Sequence, residues 1–275
     1  MKKIHGMTRI FLACASVLMM QLLMAQDTAK LQSCESVIKE YPVLWQQQAA
    51  EYRALCYQAF NIALLRISQI PKEKFKKERL AIITDLDETI LDNSYSEAQL
   101  IKEGKQHSAQ SWKGWTDRSA ATAVPGAVEF LQMARKKGIA IFYISNRDTA
   151  SVPSTLINLK KLKLPDAAET HMLFLSNTSS KEARRQLVMK KYNVVMLLGD
   201  NLNDFMRVFE QKPITERFGE TDKVKNEWGK KFIVLPNATY GEWENALYDY
   251  GRNLTADQRA EMRREKLKGY AELNK

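Results

Sequence analysis

Leu80-Ala81-Ile82-Ile83-Thr84-Asp85-Leu86-Asp87-Glu88-Thr89 is the stretch on which the reading of this chain turns. Its first five residues form a short apolar run without alternation, the pattern of a strand buried on both faces. Two acids separated by one residue follow directly. In a tight strand-exit loop both can point into one cleft. One carboxylate there can attack phosphorus to give an aspartyl-phosphate. The other can protonate the leaving oxygen and then take a proton from water. The pair alone fits a loop cap or an Asx-turn equally well, so the rest of the chain has to decide.

Upstream, Pro71 and the charged run Lys72 to Arg79 separate this strand from residues 28 to about 70. There Val43, Leu44, Ala50, Leu55, Phe60, Ala63, Leu64 and Ile67 recur with helical spacing. Downstream, residues 93–123 are polar, include Trp112 and Trp115, and read as an inserted cap. Pro125-Gly126 opens a helix through Phe130, Leu131 and Ala134 that stops at Gly138. Four more short apolar runs follow: Ile139 to Ile144, Met172 to Leu175, Val194 to Leu198, and Phe232 to Leu235. Helices through Leu156 and Leu159 and from Lys181 to about Tyr192 separate them. The tail from Leu254 is a charged, solvated helix. The expected fold is α/β: a Rossmann-like three-layer parallel sheet with a small, mainly helical cap. Ligands in such sheets bind beyond the carboxyl ends of the strands.

Polar residues stand at those ends. Ser145 closes the second strand, with Asn146 beside it, and its hydroxyl and neighbouring donors suit a phosphoryl oxygen. Arg147 follows; it either adds charge to the site or pairs structurally. Lys181 opens a helix, a placement that runs against the macrodipole and suits an anionic substrate. Gly199-Asp200-Asn201-Leu202-Asn203-Asp204 closes the fourth strand and supplies two further carboxylates. Clustered carboxylates repel unless a cation lies among them, and magnesium fits a site of few carboxylates, water and substrate phosphate. Acid pair, Ser, Lys, acid pair, each at its own strand exit or helix start, is a set that meets the needs of phosphoryl transfer: positioning and charge neutralisation.

Asp85-Leu86-Asp87-Glu88-Thr89, Ser145-Asn146-Arg147, Gly199 to Phe205 and Phe232 to Gly241 resemble the motifs of the haloacid dehalogenase superfamily, and within it the bacterial class C acid phosphatases, a group that includes surface lipoproteins acting as 5′-nucleotidases. The resemblance runs from about Trp45 to Tyr248. It implies Asp85 as nucleophile and Asp87 as acid and base. It implies magnesium held by the Asp85 and Asp200 side chains and the Asp87 backbone carbonyl, with Asp204 in support. It implies that Ser145, Asn146 and Lys181 hold the phosphoryl group, and that Trp112, Trp115, Tyr240 and also Tyr95 are candidates to flank a nucleobase. The expected enzyme is a magnesium-dependent acid phosphomonoesterase acting on 5′-nucleotides and other small organic monophosphates. A phosphotransferase of the same fold and a non-catalytic surface protein are the alternatives.

The chain's 275 residues suffice for a core domain with a cap. A content of 45% hydrophobic and 27% charged residues excludes a disordered or multi-span membrane protein. Lys2, Lys3 and Arg9 precede an apolar run from Ile10 to Ala25, the layout of a cleavable export signal over residues 1–25; residues 26–275 are then the phosphatase domain, with cap elements at about 28–70 and 93–123. The expected location is the periplasm or the outer membrane. Cys14 follows only four apolar residues after Arg9, too early for lipidation, so membrane attachment would require that step. Loss of the leader's three positive charges takes the net charge from +10 to +7, a basic exterior able to attract anionic substrates. No interleaved basic and aromatic strip points to a nucleic acid polymer. Cys34 and Cys56 pair as a disulfide or remain thiols, and the oligomeric state, a homodimer included, is left open.

Overall fold

The computed structural model describes residues 38–175 and 177–272. The leader over residues 1–25, Cys14 and Cys34 therefore lie outside the described residues. Residues 38–48 are helical (α1); Ala49 adopts extended backbone, and a second helix, α2, runs over Ala50–Ser68. A short helix α3 (Lys72–Lys77) leads into β1 (Leu80–Thr84), whose bounds match the apolar run. After the acid pair come β2 (Leu91–Asp92), α4 (Ser94–Lys102), α5 (Ala109–Asp117) and β3 (Thr122–Ala123). The two short strands pair antiparallel and form the base of the cap. α6 (Ala127–Lys136), β4 (Ala140–Asp148), α7 (Val152–Lys161), β5 (Met172–Leu175), α8 (Glu182–Met189) and β6 (Asn193–Gly199) continue the alternation. α9 (Ile214–Lys223), β7 (Phe232–Val234), α10 (Glu242–Leu247) and α11 (Ala256–Lys266) complete it.

The main sheet has five strands in the order β5-β4-β1-β6-β7, and every pairing is parallel. The acid-bearing strand is therefore central. Side chains alternate across it: Leu80 and Ile82 face one core, Ala81 and Ile83 the other. The first core takes α2 through Tyr52, Phe60 and Ile67 and α6 through Phe130 and Leu131; the second takes α8 through Val188, with Phe205 and Phe232. The register between β1 and β6 shifts after Ala81, so that Val195 and Met196 both turn to the first core. Gly138, at φ 89°, occupies the left-handed position that ends α6.

The expected cap segment at about 28–70 divides in two. α2 packs against α6 and β7 as a layer of the core, because Tyr52, Cys56, Phe60, Ala63 and Ile67 recur along one buried face. α1 instead sends Lys39 to the ligand cleft and Gln46 to the acid loop. The second expected strand does not stop at Ile144. It runs on to Asp148, with Ser145 and Arg147 buried and Asn146 and Asp148 exposed.

Candidate active site

Asp85 leaves β1 and continues its ladder, its N–H donating to the Leu198 carbonyl at 3.0 Å. One carboxylate oxygen from each of Asp85, Asp200 and Asp204 lies within 4.8 Å of the others. All three are hard oxygen donors, the set that suits a small divalent cation. Asp204 reaches them from a turn after β6, and its Oδ2 accepts from the Asn201 N–H at 3.1 Å. Gly199 makes this approach feasible, since a Cβ there would collide with the Asp204 side chain. Asp200 accepts from Thr89 Oγ1 at 3.0 Å and from Asn237 Nδ2 at 2.8 Å. Lys181, the cap residue of α8, donates to Asp85 Oδ1 at 2.5 Å and Asp204 Oδ1 at 2.6 Å. Burial works against its charge, yet Asp204 and Asp85 hold the ammonium above the usual lysine range. Burial pushes Asp85 up to about 7 against the pull of Lys181, and the Asp204 and Asp87 charges push in the same direction. Asp200 is raised well above the carboxylate range by burial and then by Asp204 and Asp85. A cation between them would reverse that cost.

Asp87 lines the same cleft in a different setting. Its Oδ1 accepts from Arg147 Nη2 at 2.7 Å, Arg147 Nε at 3.0 Å and Asn93 Nδ2 at 2.8 Å. Its Oδ2 takes only longer bonds, from Arg147 Nε at 3.2 Å and Ser145 Oγ at 3.3 Å. Arg147 combines the two alternatives: it is 2% exposed and pairs with Asp87, and it also lies on the cleft wall. Ser145 is fully buried beneath the pair rather than on the cleft wall; extension of β4 past it explains the difference. Asn146 does line the cleft, its Oδ1 held by Arg184 Nη2 at 2.6 Å, while Arg184 Nη1 binds the Ser145 carbonyl at 2.7 Å.

Glu88 is the residue that sequence reasoning passed over. It sits at φ 56° and is 2% exposed. It accepts from the Asn93 N–H at 2.8 Å, from Asn93 Nδ2 at 3.2 Å and from the Tyr240 hydroxyl. Gln46 Nε2 approaches it at 3.5 Å. It thereby ties α1, the cap and the loop after β7 to the acid pair. Burial and the Asp87 charge push it up to about 8, against the Tyr240 and Asn93 bonds. Its place directly after Asp87 was a local signal; its partners were not.

The cleft has a volume of about 1070 Å³ and includes Asp85, Asp87, Lys181, Asp200 and Asp204. Its wall carries eight acidic side chains against five basic ones. Of the expected stacking aromatics, Trp112 and Tyr240 line it. Tyr240 is already held by Glu88, and one side of Trp112 carries the Arg147 guanidinium, 5.5 Å from the ring centre. Trp115 is not on the wall: it packs against the core and donates from Nε1 to Asn93 Oδ1 at 2.8 Å. Tyr95 is 54% exposed and also lies off the wall.

The chain is similar to known proteins over most of its length. A family model for the HAD superfamily, subfamily IIIB (acid phosphatase), matches residues 4–243. The structure of the class C acid phosphatase from Bacillus anthracis superposes with a TM-score of 0.80 at 36% identity, covering 88% of this chain and 99% of that one. The crystal structure of the same Bacillus anthracis enzyme with tungstate bound gives 0.80 and 36%, covering 86% and 98%.

Proposed function

The chain belongs to the HAD superfamily, subfamily IIIB, of acid phosphatases, and from that premise we propose that it is a magnesium-dependent phosphomonoesterase working through an aspartyl-phosphate, an acyl phosphate formed on Asp85. One observation carries the reading: Asp85, Asp200, Asp204 and Lys181 converge at the carboxyl end of the central strands, with Asp87 two residues on and turned to the same cleft. Tungstate, bound by the Bacillus anthracis relative, is a tetrahedral oxyanion like phosphate.

An oxygen of Asp85 attacks phosphorus while the P–O bond to the leaving group breaks. Asp87, protonated, gives its proton to the departing oxygen. Water then attacks the same phosphorus, Asp87 takes the proton, and the Asp85–phosphorus bond breaks to release inorganic phosphate. Lys181 and the Asn146 amide orient the phosphoryl oxygens. A divalent ion held by Asp85, Asp200 and Asp204, with the Asp87 carbonyl as the family resemblance implies, would offset repulsion between carboxylates and substrate. The acidic excess of the cleft wall makes that offset necessary. Nucleotides are the proposed substrates, with Trp112 as the stacking surface, and export to the periplasm follows from the leader pattern of residues 1–25.

The decisive experiment measures phosphate release from a panel of monophosphates, with magnesium and with chelator, for the wild type and Asp85→Asn. Release should require the metal and vanish in the variant. Turnover surviving both treatments would rule the mechanism out. A nucleotide-over-aryl preference unchanged in Trp112→Ala would remove the stacking role, and an uncleaved N-terminus in the cytoplasmic fraction would remove export.

A further inference from the structure

We propose that Arg147 is the positioning residue of the reaction's acid, holding Asp87 so that Oδ1 is locked into the fold and Oδ2 alone is left to exchange a proton with the ester oxygen. The inference rests on Asp87 as acid and base. Three N–H donors converge on Oδ1, two from Arg147 and one from Asn93, at 2.7 to 3.0 Å. An oxygen accepting three such bonds has no room for a proton of its own. Oδ2 receives only the two longer contacts.

The guanidinium is itself fixed on every side. Nη1 donates to Thr155 Oγ1 at 3.0 Å, Nη2 lies 3.4 Å from Asn93 Oδ1, and the Trp112 ring covers its face at 5.5 Å. Its backbone takes part as well: the Arg147 N–H donates to Ser145 Oγ at 3.1 Å, which turns the serine hydrogen toward Asp87 Oδ2. This arrangement depends on β4 running through Asp148, since the two-residue period of a strand puts Ser145 and Arg147 on one side. A planar fork that grips one carboxylate at two nitrogens sets its rotation as well as its charge, which an ammonium cannot do. Misrotation of an acid harms poor leaving groups most, because good ones need little protonation.

The test compares kcat and KM for an alkyl phosphate and for 4-nitrophenyl phosphate in Arg147→Gln, Arg147→Lys, Asp87→Asn and the double variant Arg147→Gln/Asp87→Asn. With Arg147→Gln, kcat should fall on the order of 100-fold on the alkyl ester and less than about 10-fold on the nitrophenyl ester, since general acid catalysis contributes about 10²–10⁴-fold. KM should stay within about threefold. Arg147→Lys keeps the buried positive charge and should show the same leaving-group bias, because it lacks the fork. The double variant should be no slower than Asp87→Asn, since the two act as one unit. Equal losses on both esters, an effect confined to KM, or multiplied losses in the double variant would overturn the proposal. Failure of both single Arg147 variants to fold would assign the residue to stability and overturn it too. Asp85→Asn separates the two readings: full activity there sinks the phosphoryl-aspartate mechanism, whereas inactivity there with unbiased Arg147 variants sinks this inference alone.

Discussion

Glu88 shows how a single buried acid couples the site to stability. Its ordinary value is about 4.5, and burial with the nearby Asp87 charge pushes it up to about 8. Between these values the folded protein holds a proton that the unfolded chain has released. Stability conferred by that proton is complete at low pH and is lost as pH rises through the window. A group of this kind contributes a slope of up to about 1.4 kcal/mol per pH unit. In metal-free buffer, Glu88→Gln should therefore lose less melting temperature than the wild type between pH 5 and 8. Identical slopes in thermal melts would show that Glu88 is already ionised in the fold. Cys56 makes a second residue-scale case. It is a free thiol at 0% exposure, and burial pushes it up to about 11. A thiol reagent should leave it unmodified in native protein at pH 8 and label it on denaturation.

At the scale of elements, α1 and α2 divide the labour that one helical pattern before β1 left undivided. Phe60 is 3% exposed, packs with Phe130 at 5.7 Å between rings, and binds α2 to α6. Phe60→Ala should cost about 3–5 kcal/mol by denaturant melting, while Trp112→Ala in the cap should cost about 1 kcal/mol or less. Comparable losses for the two would mean that α2 is no more part of the core than the cap is. The turn after β6 is the other sensitive element. Gly199 carries no functional group, yet a Cβ there would displace Asp204. Gly199→Ala should keep its far-ultraviolet spectrum and lose metal-stimulated phosphate release by more than about 10-fold, because misplacement by about 1 Å costs on the order of 100-fold.

Charge is arranged at the scale of the whole molecule. Five stretches precede the five sheet strands: 69–79, 135–139, 160–171, 190–193 and 220–231. They hold 17 of the 42 basic residues and 7 of the 32 acidic ones, a local excess of ten positive charges at that end of the sheet. Helix C-termini gather there, and cations suit them. The cleft is at the opposite end and is itself acidic on balance. Attraction of anionic substrate from that basic end is screened at the cleft, for a strand of five or more residues spans roughly 17 Å, about two Debye lengths of 8 Å at physiological salt. Replacing Lys136, Lys137, Lys190 and Lys191 with Glu should leave kcat/KM for a phosphomonoester within about twofold at 0.15 M salt. A larger fall at unchanged folding would restore long-range steering.

Much of the frame was legible because it is local. The run Leu80 to Thr84 and its four counterparts read as strands from their apolarity alone, and parallel pairing then sends Asp85, Asn146 and Asp200 to one end. Asp85 and Asp87, or Asp200 and Asp204, announce themselves by spacing within one turn. What the tertiary structure decided were partnerships between residues far apart in the chain. Thr89 with Asp200 is a pair across 111 positions, Arg147 with Asp87 across 60, and Tyr240 with Glu88 across 152. No periodicity encodes such pairs, because they depend on where strand β4 ends, how α1 breaks at Ala49 and which way the cap lies. The acid pair as a chemical possibility is written in ten consecutive residues; the guanidinium that pairs with Asp87 lies 60 positions away, and only a folded sheet brings it there.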